Sequence, residues 1–192
     1  MFQICSILII IYLICSPNKK STMNLIEYFP LVSDDGTVIG KATRTECHSG
    51  SFLLHPVVHL HVFNTAGELY LQKRNINKDI QPGKWDTSVG GHVDFGEEME
   101  VALIREVIEE LGIRDFQPIF ITQYKFVSDK EAELVHSHYC IYDGDITPNP
   151  NEISEGKFWK ITEIEAAIGK NIFTPNFEQE FVKLELSTLK LK

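Results

Sequence analysis

The chain has 192 residues, 43% of them hydrophobic, and a formal net charge of −9. That is enough apolar material for one sizeable core, so one compact domain plus trimmings is expected. The acidic balance, with no basic cluster beyond Lys19-Lys20, excludes a nucleic-acid polymer as the main partner, because neutralising its phosphates takes Lys and Arg.

The first element is an apolar run from residue 2 to residue 15. It falls short of the roughly 20 residues that span a bilayer. No Lys or Arg precedes it, and Ile14 rather than a small residue stands before Cys15, so it is a poor signal peptide. A weak anchor held by the basic residues after it is one reading. The favoured reading starts the working protein at Met23, leaving residues 1–22 as a leader outside the fold and 23–192 as the domain. No membrane role is then expected. Cys5, Cys15, Cys47 and Cys140 show neither CxxC spacing nor a disulfide framework, which suits a reducing, cytoplasmic setting.

From Tyr28 the chain reads as short strands and turns. Tyr28–Val32 and Thr37–Thr43 flank Ser33-Asp34-Asp35-Gly36, a hairpin signal. Pro56–Phe63 alternates, turns at Asn64-Thr65-Ala66-Gly67 and returns as Glu68–Lys73. In that strand His59 and His61 share one face and read as polar-face residues. Trp85–Val89 leads into a helix, followed by β-rich runs at Pro118–Val127 and Leu134–Tyr142 joined by a charged turn, Ser128–Glu131. Lys157–Ile161 reads as a short strand and Thr162–Ile168 as a short helix. Thr174-Pro175 then supplies an N-cap and an N1 proline for a last helix with Phe177, Phe181 and Leu184 buried. An α/β fold follows, a mixed sheet with helices on both faces.

The central helix carries the chemistry. Glu106, Glu109 and Glu110 stand at i, i+3 and i+4, so they share one helix face. Three carboxylates so close repel one another unless something holds them, and a divalent cation does. Mg²⁺ suits a few carboxylates plus water and phosphate oxygens. Val101, Ile104, Ile108 and Leu111 form the expected core stripe, and Gly112 the C-cap. A Glu-rich surface helix would show the same run; the wider spacing separates the two.

That spacing is Gly91, five residues, Glu97, seven residues, Arg105-Glu106, an aliphatic, one residue, Glu109-Glu110, one residue, Gly112, an aliphatic. It resembles the complete Nudix box. The resemblance implies an α/β/α sandwich whose loop–helix–loop binds Mg²⁺ or Mn²⁺ and cleaves a diphosphate linkage in a small phosphorylated substrate. By it, Glu106, Glu109 and Glu110 would be metal ligands, with Glu97 and Gly90 contributing at the same centre. Glu106 and Glu109 would carry catalysis, fixed by a charge-assisted bond from Arg105. Gly90-Gly91 would let the backbone come close to the metal. A homodimer is compatible with all of this.

A second layer, Leu53-Leu54-His55, Asn64 to Arg74 and Pro82 to His92, resembles the isopentenyl-diphosphate isomerase branch. There His48, His55 and His92 would bind a second metal with Glu131 and Glu133, and Arg74 and Lys78 would grip the diphosphate. Imidazoles and carboxylates make a coherent donor set for Mn²⁺ or Zn²⁺. The departures weigh more. The isomerases use a cysteine where this chain has Gly90, and a shielding aromatic near the Phe173-Thr174-Pro175-Asn176 segment, where it has Asn176 and no Trp. Glycine has no proton to give, so carbon protonation loses a partner. Cys47 and Cys140 lie elsewhere in the pattern. The expected activity is therefore diphosphate hydrolysis on an isomerase-like frame. The alternatives are an isomerase with another acid and a non-catalytic nucleotide sensor.

Overall fold

A computed structural model describes residues 26–78 and 80–184. The leader and the Met23 start lie outside the described residues. Among those residues no helix is long and apolar enough to cross a membrane.

β1 (Tyr28–Val32) and β2 (Val38–Thr43) pair antiparallel as a two-stranded sheet. Their turn is closed by Asp35, whose carboxylate accepts from the Ser33 hydroxyl at 2.6 Å and from the Thr37 amide at 3.0 Å. One short turn of helix, α1 (Arg44–Cys47), follows, held by a capping box in which Thr43 and Glu46 bond reciprocally.

Among the described residues the main sheet has seven strands. β3 (Leu54–Phe63) is central, antiparallel to β4 (Leu69–Arg74) and to β6 (Val89–His92), and parallel to β8 (Ala132–Ile141). β5 (Trp85–Asp86) and β9 (Ile153–Trp159) join β4, and β7 (Ile119–Val127) is the antiparallel edge beyond β8. The sheet is mixed, as expected. β9 begins before Lys157 because Ile153 already pairs with Arg74.

Helices cover both faces. On one, Val58, Leu60 and Val62 of β3 pack with α2 (Met99–Leu111). On the other, Phe63, Leu69 and Leu71 pack with α3 (Ile161–Ala167) and α4 (Pro175–Lys183). β3 is thus buried on both faces, and His59 and His61 are interior residues. The expectation of a polar strand face is corrected there. α4 starts as read: the Thr174 hydroxyl accepts from the Phe177 amide at 3.1 Å, and Phe177, Phe181 and Leu184 are buried.

The α2 stripe also needs correction. Its buried residues are Ala102, Leu103, Val107, Glu110 and Leu111, whereas Val101, Ile104 and Ile108 are only half-buried. The helix is apolar around much more than one stripe, so two packings were open. The one adopted turns Glu110 inward to line a cleft. Gly112 ends the helix at φ 70, its amide bonded to the Ile108 carbonyl at 3.1 Å.

Candidate active site

A cleft of about 780 Å³ opens between α2, the β5–β6 segment, the β7–β8 turn and the start of α4. Glu106, Glu109 and Glu110 line it, with Arg105, Gly90 and Gly91. Arg105 organises this wall. Its Nε and Nη2 donate to the two Glu97 oxygens at 2.9 and 2.8 Å, its Nη1 to Glu106 Oε1 at 2.6 Å, and Nη2 also to the His92 carbonyl at 2.9 Å. Glu97 itself does not line the cleft; both its oxygens face the guanidinium, so here it holds Arg105. Glu109 is the exposed member, 3.7 Å from Arg105.

Glu110 is buried and accepts from Gln72 Nε2 at 2.9 Å. Burial and the neighbouring Glu106 push its carboxyl up to about 8, against the Gln72 side chain, Lys78 and the Gly90 amide, which hold it down. Burial raises Glu106 as well, opposed by Arg105. Buried carboxylates whose charge costs this much accommodate a cation readily. Yet Glu106, Glu109 and Glu110 do not converge on one point: among the described residues, the groups of three donors within 4.8 Å of one another are His48–His55–His92 and His55–Glu131–Glu133.

That second cluster brings together every residue expected of it. The parallel register sets His55 opposite Glu133, and the β3–β6 register sets Val57 opposite His92. His48 Nε2 lies 3.0 Å from His92 Nε2 and 3.2 Å from Glu131 Oε2. His55 Nδ1 donates to the Leu53 carbonyl at 2.9 Å, which leaves Nε2 as a lone-pair donor, buried and without a hydrogen-bond partner. Phe29 stacks flat on His92, 4.3 Å between centroids. Burial lowers the pKa of His55 and, with Arg44 adding to it, that of His92 well below the ordinary range, so both are neutral, the form that binds metal. Burial and Glu131 raise Glu133 to about 8. Nitrogen and carboxylate donors converging with an orphaned buried nitrogen fit a divalent cation.

Arg74 and Lys78 both line the cleft, Arg74 3.2 Å from Asp86 and Lys78 paired with Glu152. Three contributors escaped the sequence reading. Arg44 adds a cation to the cleft, 3.4 Å from His92 Nδ1, and the Thr43–Glu46 capping spacing would have located its helix. Gln72 fixes Glu110. Glu180 binds both His59 and His61 across the sheet, a pairing no local pattern announces. Burial alone would lower His59, but Glu180 outweighs it and lifts the imidazole to about 9.

A family model for the NUDIX domain matches residues 53–180. The chain belongs to the Nudix family. Among its curated relatives, isopentenyl-diphosphate Delta-isomerase 1 of Photorhabdus laumondii is 29% identical over 167 residues, 83% of this chain and 95% of that protein. The isopentenyl-diphosphate Delta-isomerase of Paenarthrobacter aurescens is 31% identical over 139 residues, 69% and 76% of the two chains. Of the solved structures, a Deinococcus radiodurans protein matches with a TM-score of 0.73 at 23% identity, over 83% of this chain and 99% of its own. The MutT protein of Methanosarcina mazei matches with 0.61 at 24% identity, over 71% and 96%. Those two establish the Nudix fold. The Gly91 to Gly112 pattern falls on β6, the loop after it and α2.

On β6 the two glycines do different jobs. A Cβ on Gly91 would lie 2.0 Å from Glu106 Cδ, an impossible contact, so Gly91 is what lets the Glu106 side chain cross the strand. Gly90 would bring a Cβ to 3.3 Å from the His59 ring, tight but adjustable. Gly91→Ala should therefore displace Glu106 and cut turnover by about 10²-fold, as an ångström of misplacement does in an active site. Circular dichroism and kcat on one substrate check it; full activity would show that the position of Glu106 is unimportant.

Proposed function

We propose that this chain is a divalent-cation-dependent Nudix hydrolase that cleaves a diphosphate linkage in a nucleoside diphosphate derivative or a related small molecule. The observation that carries the reading is the cleft wall at position 90. It is a glycine backed by an imidazole, and neither described cysteine lines the cleft. Cys47 and Cys140 are buried, their thiols pushed up to about 11 and about 12 by burial. Diphosphate hydrolysis needs no thiol.

A cation bound by the box carboxylates, and a second bound by His48, His55, His92, Glu131 and Glu133, would offset phosphate charge and acidify a water. The chain's own residues supply the rest. Arg105 and Gln72 hold Glu106 and Glu110 in place. Arg74 and Lys78, with Arg44 beside them, give the cleft the positive charge that a diphosphate requires. A carboxylate, either within the box or at Glu131 or Glu133, would accept the proton of the attacking water.

The isomerase reading stands second, supported by the names of the relatives and by the meeting of the histidines and glutamates. Chromatographic detection of monophosphate products from nucleoside di- and triphosphates, dinucleotides, nucleotide sugars and isoprenoid diphosphates, with Mg²⁺ or Mn²⁺, tests the hydrolase. Release from at least one is expected. No release from any of them, with cation bound, would reject it.

A further inference from the structure

β3 brings a buried polar cluster to the cleft that hydrolysis as described does not use. His59 Nδ1 meets Glu180 Oε2 at 2.8 Å, and the other Glu180 oxygen lies 3.0 Å from His61 Nε2. His61 Nδ1 in turn meets the Thr87 hydroxyl at 3.2 Å. All these side chains are buried, and Glu180 is fully so. The bond to Glu180 fixes the His59 ring. With Nδ1 engaged, Nε2 is the nitrogen of His59 that lies beside position 90, where a Cβ on the glycine would stand 3.3 Å away. Glycine there leaves the ring edge on the cleft wall; a larger side chain would cover it.

The neighbouring wall is polar and equally fixed. Tyr124 donates to Asn176 Oδ1 at 2.8 Å, and Asn176 Nδ2 donates to Glu133 at 3.0 Å. Asn176 and His59 both line the cleft. A buried ionic cluster is weak evidence for stability, since apolar side chains of like volume often do as well, so its place on the cleft wall points to recognition. We infer that His59, held by Glu180 and laid open by Gly90, is a specificity-determining residue that hydrogen-bonds a polar group on the non-phosphate part of the substrate. That part carries hydroxyl or carbonyl groups; a hydrocarbon chain would leave His59 facing nothing it can bond. Sites built on such bonds reject analogues that lack the partner by orders of magnitude. The inference rests on the cleft being the diphosphate site.

The test is calorimetric binding of uridine monophosphate, adenosine monophosphate, glucose 1-phosphate and isopentenyl monophosphate, with inorganic phosphate as reference, in Mg²⁺ buffer. At least one polar ligand should bind about 10-fold or more tightly than isopentenyl monophosphate. His59→Leu should reduce that ratio about 10-fold while inorganic phosphate binds about as before, and Gly90→Ala, which covers the ring while leaving the His59–Glu180 pair intact, should reduce the ratio likewise. Isopentenyl monophosphate binding as tightly as the others, or a ratio that neither variant moves, overturns the inference. Binding is read without turnover, so a protein with the preference but no hydrolysis refutes the hydrolase alone. Hydrolysis with a hydrocarbon preference refutes only the role of His59.

Discussion

Glu110→Gln should lower turnover by roughly 10²-fold or more while leaving the fold as stable as before, or more so. The two halves have one cause. The carboxyl of Glu110 is raised to about 8 from an ordinary 4.5, first by burial and next by Glu106. A group whose folded pKa lies above its unfolded one costs nothing below pH 4.5, costs progressively more as pH rises and reaches its full cost above about 8. Glutamine removes that cost, keeps the volume, and still accepts from Gln72. Glu109→Gln should lose activity similarly with little change in stability, because Glu109 is largely exposed. Thermal melts in metal-free buffer beside kcat measurements read both quantities. Undiminished hydrolysis in either variant would show that the box carboxylates do not bind the working cation.

The parts of this site that the sequence announces are those whose partners are close in the chain. Gly91, Glu97, Arg105 and Glu106 lie within sixteen residues, so their meeting was expected from the Nudix resemblance, whereas the room that Gly91 leaves for the Glu106 side chain appears only in the structure. The Ser33–Gly36 turn and the Thr174-Pro175 helix start are equally local. What was hidden depends on the sheet. The meeting of His55 with Glu133 follows from a parallel register, which periodicity does not specify, and came only through resemblance. His59 and Glu180 are 121 residues apart, and nothing in an alternating strand shows that its polar face will be covered by a helix carrying a carboxylate. α2 was misjudged for a different reason: Val101, Ile104 and Ile108 compete with Ala102, Leu103 and Val107 for the interior, and packing against Val58, Leu60 and Val62 decides between them.

The sharpest separation of hydrolase from isomerase is an isotope experiment. With isopentenyl diphosphate in deuterated buffer, the unmodified protein should give no dimethylallyl product and no deuterium in recovered substrate. Under the same Mg²⁺ or Mn²⁺ conditions it should release phosphate from another diphosphate. Moving a double bond takes a proton donor on one face of the allylic unit and an acceptor on the other. Glu133, at about 8, could serve one face, but position 90 offers no thiol, only the edge of a His59 ring tied to Glu180 behind a glycine. Asn176 stands where an aromatic would be needed, and its amide is tied to Tyr124 and Glu133. Gly90→Cys alone should therefore not restore isomerisation: its Cβ would stand 3.3 Å from His59, and the wall around the thiol stays polar. Deuterium uptake by the unmodified protein would sink the hydrolase-only reading. The missing acid would then have to be His59, because Cys47 lies buried outside the cleft with its thiol near 11, while the His59 ring stands on the cleft wall at position 90 and carries a proton up to about pH 9.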